Sequence, residues 1–318
     1  MKQAAAAVSM SKKAISNKRK DAWFGFAITA PSILLLLLLF LFPIVYSLVL
    51  SFTNYNYVKG TGAFVGFRNY VTAFSDPDFL NSLKVTFLIS IIAVIVQFIF
   101  GILLSLFTIN IQKGQGLFKT TFLIPQMVAP TVAGLLFRFM FNQEFGIVNS
   151  ALKAIGLQPI SWLVDPKLAV FSVVLTDSWT CIPFVFLLVY TAFASLPQDM
   201  LEAGRIDGGN AWQIFFRIQL PNVRGALMVT LVLRFMDVFR IYDSIYIMTK
   251  GGPGTATEAL SLYIYRVNWS KYQMGKASAL SYIMMVIMAI IGILINYYSE
   301  DKYDRKMRRA LKKGAVKE

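Results

Sequence analysis

Glu202–Pro221 reads EAGRIDGGNAWQIFFRIQLP, a glycine-broken, proline-terminated stretch between two long apolar segments. A plain connector between helices needs only a handful of polar residues. This one carries its own helix signals and more apolar side chain than a surface loop requires. Pro197 suits the first turn of a helix, with Asp199 and Glu202 near its positive end. Gly208-Gly209 supplies a stop, because glycine tolerates the left-handed backbone that ends helices. Asn210 then caps a second helix, and Leu220-Pro221 is expected to end it, since proline disfavours helical geometry in the residue before it. The expectation is two short helices with a bend. Met200, Leu201 and Ile206 on the first, with Trp212, Phe215 and Phe216 on the second, need somewhere to go. Lipid headgroups, the ends of the chain's own membrane spans, or a groove in a partner would each serve.

The surroundings of that stretch are those of an integral membrane protein. Hydrophobic residues make up 57% of the 318 and charged residues 15%, and the apolar ones are clustered. A spanning helix needs roughly 20 mostly apolar residues. On that measure an all-α architecture with six transmembrane helices is expected, near 23–50, 86–109, 119–141, 168–194, 224–248 and 276–298. The first run is too long for a signal-peptide core, and no small-residue cleavage site closes it. Pro31 and Pro43 fall within it, as kinks or as marks of its ends.

The net charge of +15 is concentrated at the two ends. Tails at 1–22 and 299–318 are basic, which places both termini on the cytoplasmic side beside anionic lipid and agrees with an even number of spans. The basic runs lack interleaved aromatics, so nucleic acid is not the expected partner. The loop at 196–223 is close to charge-balanced, and the parity of spans alone puts it in the cytoplasm.

Enzymatic chemistry is poorly supplied. Histidine is absent and Cys181 is the single cysteine, which removes the usual metal ligands and general base. The P-loop pattern is missing as well: in Gly114-Gln115-Gly116-Leu117-Phe118-Lys119-Thr120 the lysine does not follow a glycine. Any ATP-driven work therefore needs a partner.

The spacing Glu202-Ala203-Gly204, three residues including Asp207, Gly208, nine residues, Ile218-Gln219-Leu220-Pro221 resembles the EAA signature of ABC-importer permease subunits. Gly204 departs from the usual second alanine, and glycine loosens a helix by up to about 1 kcal/mol. Residues 23–298 resemble the carbohydrate-importer permeases of the maltose and glycerol-phosphate type. The stretches that carry this are Ser51-Phe52-Thr53, Phe64–Tyr70, Ile124-Pro125 with Pro130, and Thr249–Gly254. The resemblance implies a bacterial inner-membrane permease with a coupling helix, paired with a second permease subunit and two ATPase subunits that bind ATP and magnesium. It also implies an extracytoplasmic solute-binding protein and a sugar as substrate. Direction of transport follows from the resemblance alone.

Two polar groups inside the apolar spans are candidates for the substrate path. Arg234, Asp237, Arg240 and Asp243 recur at three-residue spacing in the fifth span, with Tyr242 beside them. Opposite charges at that spacing can pair along a helix, and buried charge in a bilayer is costly enough to face a bundle interior or a water-filled cavity. A translocation path and an ion-pair lock on neighbouring helices both fit, and the same residues would serve a secondary transporter or channel. Asp177, Ser178, Trp179 and Thr180 in the fourth span form the second group, as sugar contacts or as helix packing. Arg138 in the third span is read as a snorkelling or paired charge.

Overall fold

Two Asp-Pro steps start two of the longest helices. Asp76 and Asp165 each sit in extended backbone, accept hydrogen bonds from amides two or three residues on, and are followed by a proline whose missing N–H costs nothing at a helix start. In the computed structural model, which describes residues 23–24, 26–111 and 113–299, these steps open α3 (Pro77–Ile109) and α7 (Pro166–Ala194). Helix α3 therefore starts nine residues before the expected 86, because a good cap lets the helix extend beyond its apolar run. At 33 residues it is about 50 Å long, more than the roughly 30 Å hydrocarbon core of a bilayer.

The remaining elements are α1 (Phe26–Ser51), α2 (Arg68–Phe74), α4 (Gln115–Met127), α5 (Pro130–Met140), α6 (Ile147–Ala154) and α8 (Gln198–Ile206). They are completed by α9 (211–239), α10 (Asp243–Met248), α11 (Leu260–Trp269) and α12 (Met274–Ser299). The described residues hold no strand beyond two isolated bridges, Thr53↔Phe64 and Asn56↔Thr61. The basic tails read at 1–22 and 299–318 lie outside the described residues, apart from the backbone of Ser299.

Among the described residues, four helices are long and apolar enough to cross a membrane: α1, α3, α7 and α12. A fifth crossing exists if α4 and α5 form one span, and those two meet at a 90° bend. The expected straight span over 119–141 is therefore broken. Ala129, forced out of helical geometry by the following Pro130, sits at ψ 138° and turns the chain. The expected span over 224–248 is also interrupted. Helix α9 stops at Phe239, Arg240–Tyr242 leave helical geometry, and α10 begins at Asp243.

Proline behaves differently in α1 and α9. Pro43 and Pro221 each lie two residues beyond a five-residue π turn, Leu37–Leu41 and Phe215–Gln219. The widened turn absorbs the clash of the proline ring with the preceding carbonyls, so the helix continues. Asn222 Nδ2 donates to the Ile218 carbonyl at 2.6 Å, which satisfies one acceptor at the widened turn. Pro221 thus does not end the second loop helix. Ala211–Ile214, the π turn and Leu220–Phe239 run on as the single helix α9. Neither Pro31 nor Pro43 marks an end of α1.

Three apolar clusters hold the bundle. One joins the C-terminal ends of α3 and α7 to the start of α9 through Leu106, Val185, Val189, Phe193, Val223 and Leu227. A second, around Ile89, Val173, Val238 and Ile245, fills the middle. The third packs α11 and α12 on α3 through Phe79, Phe239, Leu260, Tyr263 and Leu280. Helices α3 and α7 therefore run parallel with α9 opposed to them, and the loop at 195–210 stands at one end of the bundle.

Candidate functional site

At the loop end, local chemistry builds a rigid elbow. Pro197 caps α8 with Asp199 in its first turn. The helix closes on Gly208 at φ +81°, with Gly208 N–H bonded to the Arg205 carbonyl and Gly209 N–H to the Gly204 carbonyl, both at 3.0 Å. This is a Schellman closure, which only a residue at ease with positive φ completes. Asn210 then opens α9 with a reciprocal capping box: its side chain accepts from Gln213 N–H at 2.9 Å, and its own N–H donates to Gln213 Oε1 at 2.9 Å. The stop at Gly208 and the cap at Asn210 stand where the sequence expects them.

The elbow also explains Gly204. A methyl group added there would lie 2.5 Å from Ile218 Cδ1, so the two halves of the signature touch across the turn. Its apolar residues divide cleanly. Leu201 and Ile214 are buried, and Met200, Phe215 and Leu220 pack on the cluster formed by the ends of α7 and α9. Ile206, Trp212 and Phe216 face outward at 85%, 72% and 54% exposure, with Trp212 stacked on Phe216 at 5.9 Å. Glu202, Ala203 and Asp207 are exposed beside them. The loop thus satisfies its own packing and still presents an apolar, aromatic face flanked by the exposed charges of Glu202, Arg205, Asp207 and Arg217.

Some 20 residues further along α9 lies the second group. Arg234 is 1% exposed and reaches three partners: its Nε donates to Gln97 Oε1 at 2.6 Å, and its two amino groups pair with Asp177 and Asp237. Gln97 Nε2 in turn donates to Asp177 Oδ2 at 2.8 Å. One arginine therefore ties α9 to α3 and α7, and a charge so far from water is tolerable only with such partners. Asp237 is also 4.0 Å from Arg240 Nη2.

A cavity of about 280 Å3 opens against this cluster, lined by Asp177, Thr180, Asp237, Arg240, Tyr242 and Asp243 among others. The structure thus brings Asp177, Thr180, Asp237 and Tyr242 together at one cavity, with Arg234 behind them. Trp179 does not line the cavity; it packs edge-on against Phe137 at 5.5 Å. Arg138 is paired, its Nη1 donating to the Ile247 carbonyl at 3.0 Å. Gln97 escaped the sequence reading, although a single amide in an otherwise apolar stretch of span is itself a signal.

At the end opposite the loop, Asp76 accepts from Lys276 Nζ and Tyr263 OH, each at 2.7 Å, which links α3 to α11 and α12. Burial alone would raise its carboxyl, but those two hydrogen bonds outweigh it and hold the pKa down at about 2. Glu258 behaves oppositely: burial pushes its carboxyl up against the pull of Arg266 at 2.9 Å.

Comparison with known proteins agrees with this layout. Residues 86–309 match the family described as binding-protein-dependent transport system inner membrane component. The chain is 31% identical over 286 residues to the trehalose/maltose transport system permease protein of Thermococcus litoralis, covering 89% of this chain and 97% of that one. It is 33% identical over 269 residues to the sn-glycerol-3-phosphate transport system permease protein of Agrobacterium fabrum, covering 83% and 90%. In fold it matches a chain of a bacterial ABC transporter involved in import of the acidic polysaccharide alginate, with TM-score 0.78 at 23% identity over 90% of this chain and 98% of that one. The relatives are named as permease proteins, and this chain is a multi-pass protein of the inner membrane. This chain belongs to that family, the inner-membrane permease components of binding-protein-dependent ABC transport systems.

Proposed function

We propose that this chain is one of two permease subunits of a carbohydrate importer and that α8 docks on a cytoplasmic ATPase subunit. Both termini and the 196–223 loop then face the cytoplasm, and an external solute-binding protein delivers sugar at the opposite end. Six crossings serve this topology: α1, α3, the bent α4–α5 pair, α7, α9 and α12. Helix α9 qualifies despite its charges, because Arg234 is paired on three sides. Sugar as substrate class is supported by the names of the relatives, which include trehalose and maltose. ATP and magnesium are held by the ATPase partner.

The observation that carries this reading is the division of the elbow's apolar residues. Met200, Phe215 and Leu220 anchor it to the bundle and Leu201 and Ile214 are buried, whereas Glu202, Ile206, Trp212 and Phe216 form a free face. Asp199, Glu202 and Asp207 outnumber the exposed Arg205 and Arg217, so a groove in a protein partner suits this face better than an anionic lipid surface. Motion of α8 passes through the Gly204–Ile218 contact into α9, a continuous rod of about 24 Å from Ile218 to Arg234. Rocking of that rod alters the cavity at Asp177 and Asp237, which gives the two states of alternating access.

The test is purification and reconstitution. Affinity isolation of the chain from its native membrane recovers an ATPase subunit, and sugar uptake into proteoliposomes requires ATP. Uptake by the chain alone on an ion gradient would identify a secondary transporter instead.

A further inference from the structure

Two of the clefts on the surface of this molecule differ sharply in chemistry. Between α9 and α12 lies a cleft of about 410 Å3 lined by Met228, Val232, Met236 and Ile293, with Asn296 as its single polar side chain. Such a lining suits acyl chains. The second cleft, of about 460 Å3, lies among the ends of α1, α11 and α12. Its walls combine Tyr242, Tyr265 and Trp269 with Asn268 and several serines, and no charged residue lines it. Its volume falls within the roughly 300–1,000 Å3 of small-molecule sites.

We propose that this second cleft is a subsite for one ring of a neutral saccharide, placed ahead of the charged cavity at Asp177 and Asp237. Aromatic faces take the C–H surface of a sugar ring, and short amide and hydroxyl side chains take its hydroxyls. Tyr265 and Tyr242 provide that face, with ring centroids 5.2 Å apart, and Tyr242 is braced on Tyr246 at 5.4 Å. Trp269 stands exposed at the rim, steadied by Tyr57 at 6.1 Å. The side chains of Asn268 and Ser278 make no hydrogen bond among the described residues, so both can pair with a ligand. The absence of charge in the lining favours a neutral sugar over a sugar acid or a phosphate ester.

Tyr242 fixes the position of the subsite. Its ring lines both this cleft and the cavity at Asp177 and Asp237, so the two spaces share one wall. A saccharide longer than one ring can rest in the cleft with its next unit at the cavity mouth. This subsite rests on the importer reading, because it presumes that sugar arrives from the end opposite the loop.

The experiment uses the assembled transporter in nanodiscs, without the solute-binding protein, with maltose, trehalose and maltopentaose as probes. Saturation-transfer NMR reads the sugar protons directly. Saturable transfer from at least one probe is expected, with apparent Kd raised at least fivefold by Asn268→Ala and by Trp269→Ala and unchanged by Asn296→Ala in the apolar cleft. Absence of saturable transfer from all three sugars, or equal Kd in both cleft variants, overturns the subsite. Transfer that follows lipid composition rather than sugar concentration also overturns it and identifies an interfacial aromatic belt. ATP-driven sugar uptake by the same particles in liposomes separates the two readings. Uptake with an unchanged KM in both cleft variants removes the subsite and leaves the importer standing, whereas absence of any ATP-driven sugar uptake removes the importer reading itself.

Discussion

Near its start, α9 holds Trp212 and Phe216 out in the open, whereas near its other end the same helix buries an arginine almost completely. The two arrangements run against ordinary preference, since apolar rings usually hide and charges usually do not. At the start, the elbow has already met its packing needs with Leu201, Ile214 and Phe215, so the exposed rings are surplus to the fold. At the far end, Arg234 is required by the fold, because Gln97, Asp177 and Asp237 have no other cation so near. Substitutions at one end should therefore cost function, and at the other end stability.

The sharpest way to break that contrast is Arg234→Met. It strands Asp177 without its cation, and removal of one partner from a buried pair costs about 3–5 kcal/mol. Thermal unfolding in detergent should show a large fall in Tm, partly recovered by adding Asp177→Asn. An unchanged Tm would mean that the cluster is not a lock. Trp212→Ala is the counterpart: as a surface change it should move stability by no more than about 0.5 kcal/mol, while recovery of the ATPase on affinity isolation falls. Loss of folded protein with Trp212→Ala would make that ring part of the core.

Smaller effects refine the elbow. Gly204→Ala restores the residue usual in the family, yet its methyl would meet Ile218 Cδ1 at 2.5 Å. The cost should be about 1 kcal/mol, at the low end for overpacking because only a terminal methyl must turn aside. Ile218→Val removes that methyl, so the double variant should regain the loss, and additive losses would show that the two residues do not share a contact. Asn210→Ala removes the capping box and should cost about 1 kcal/mol of stability, read as a shift in unfolding midpoint.

The smallest effect lies at the opposite end and depends on pH. Asp76 has its pKa lowered to about 2 in the fold, so its ionised form is favoured by folding. The resulting stability is complete above the ordinary carboxylate value of 3.8 and is lost as pH falls from there through about 2. Asp76→Asn should flatten the acid limb of the stability curve in that window and leave the curve near pH 7 parallel to the parent. An identical acid limb would show that Lys276 and Tyr263 do not hold this carboxylate.

The legible parts of the fold were those written in neighbouring residues. Gly208 and Asn210 announce a stop and a cap within three positions, and both features stand there. The apolar runs of α3, α7 and α12 are equally local signals. What escaped was set by distance or by compensation. Pro221 reads as a terminator until a π turn just before it removes the clash. The pairing of Asp177 with Arg234, and the part of Gln97 in it, joins residues on three helices and leaves no mark in the spacing of any one. Trp179 follows the same rule, since only the packing of α5 on α7 sends its ring to Phe137 and away from the cavity. Side-chain pairs across helices are chosen by tertiary packing, and periodicity within one helix carries only the face on which each residue lies.

Glu202→Lys tests the coupling assignment most directly. Glu202 is exposed, so the fold should persist, and reversal of its charge alters only the face offered to the ATPase. ATP-driven sugar uptake in proteoliposomes, normalised to folded transporter, is expected to fall to background while the unfolding midpoint stays that of the parent. Uptake at the parental rate with the ATPase subunit still bound would contradict the assignment of this loop as the coupling element.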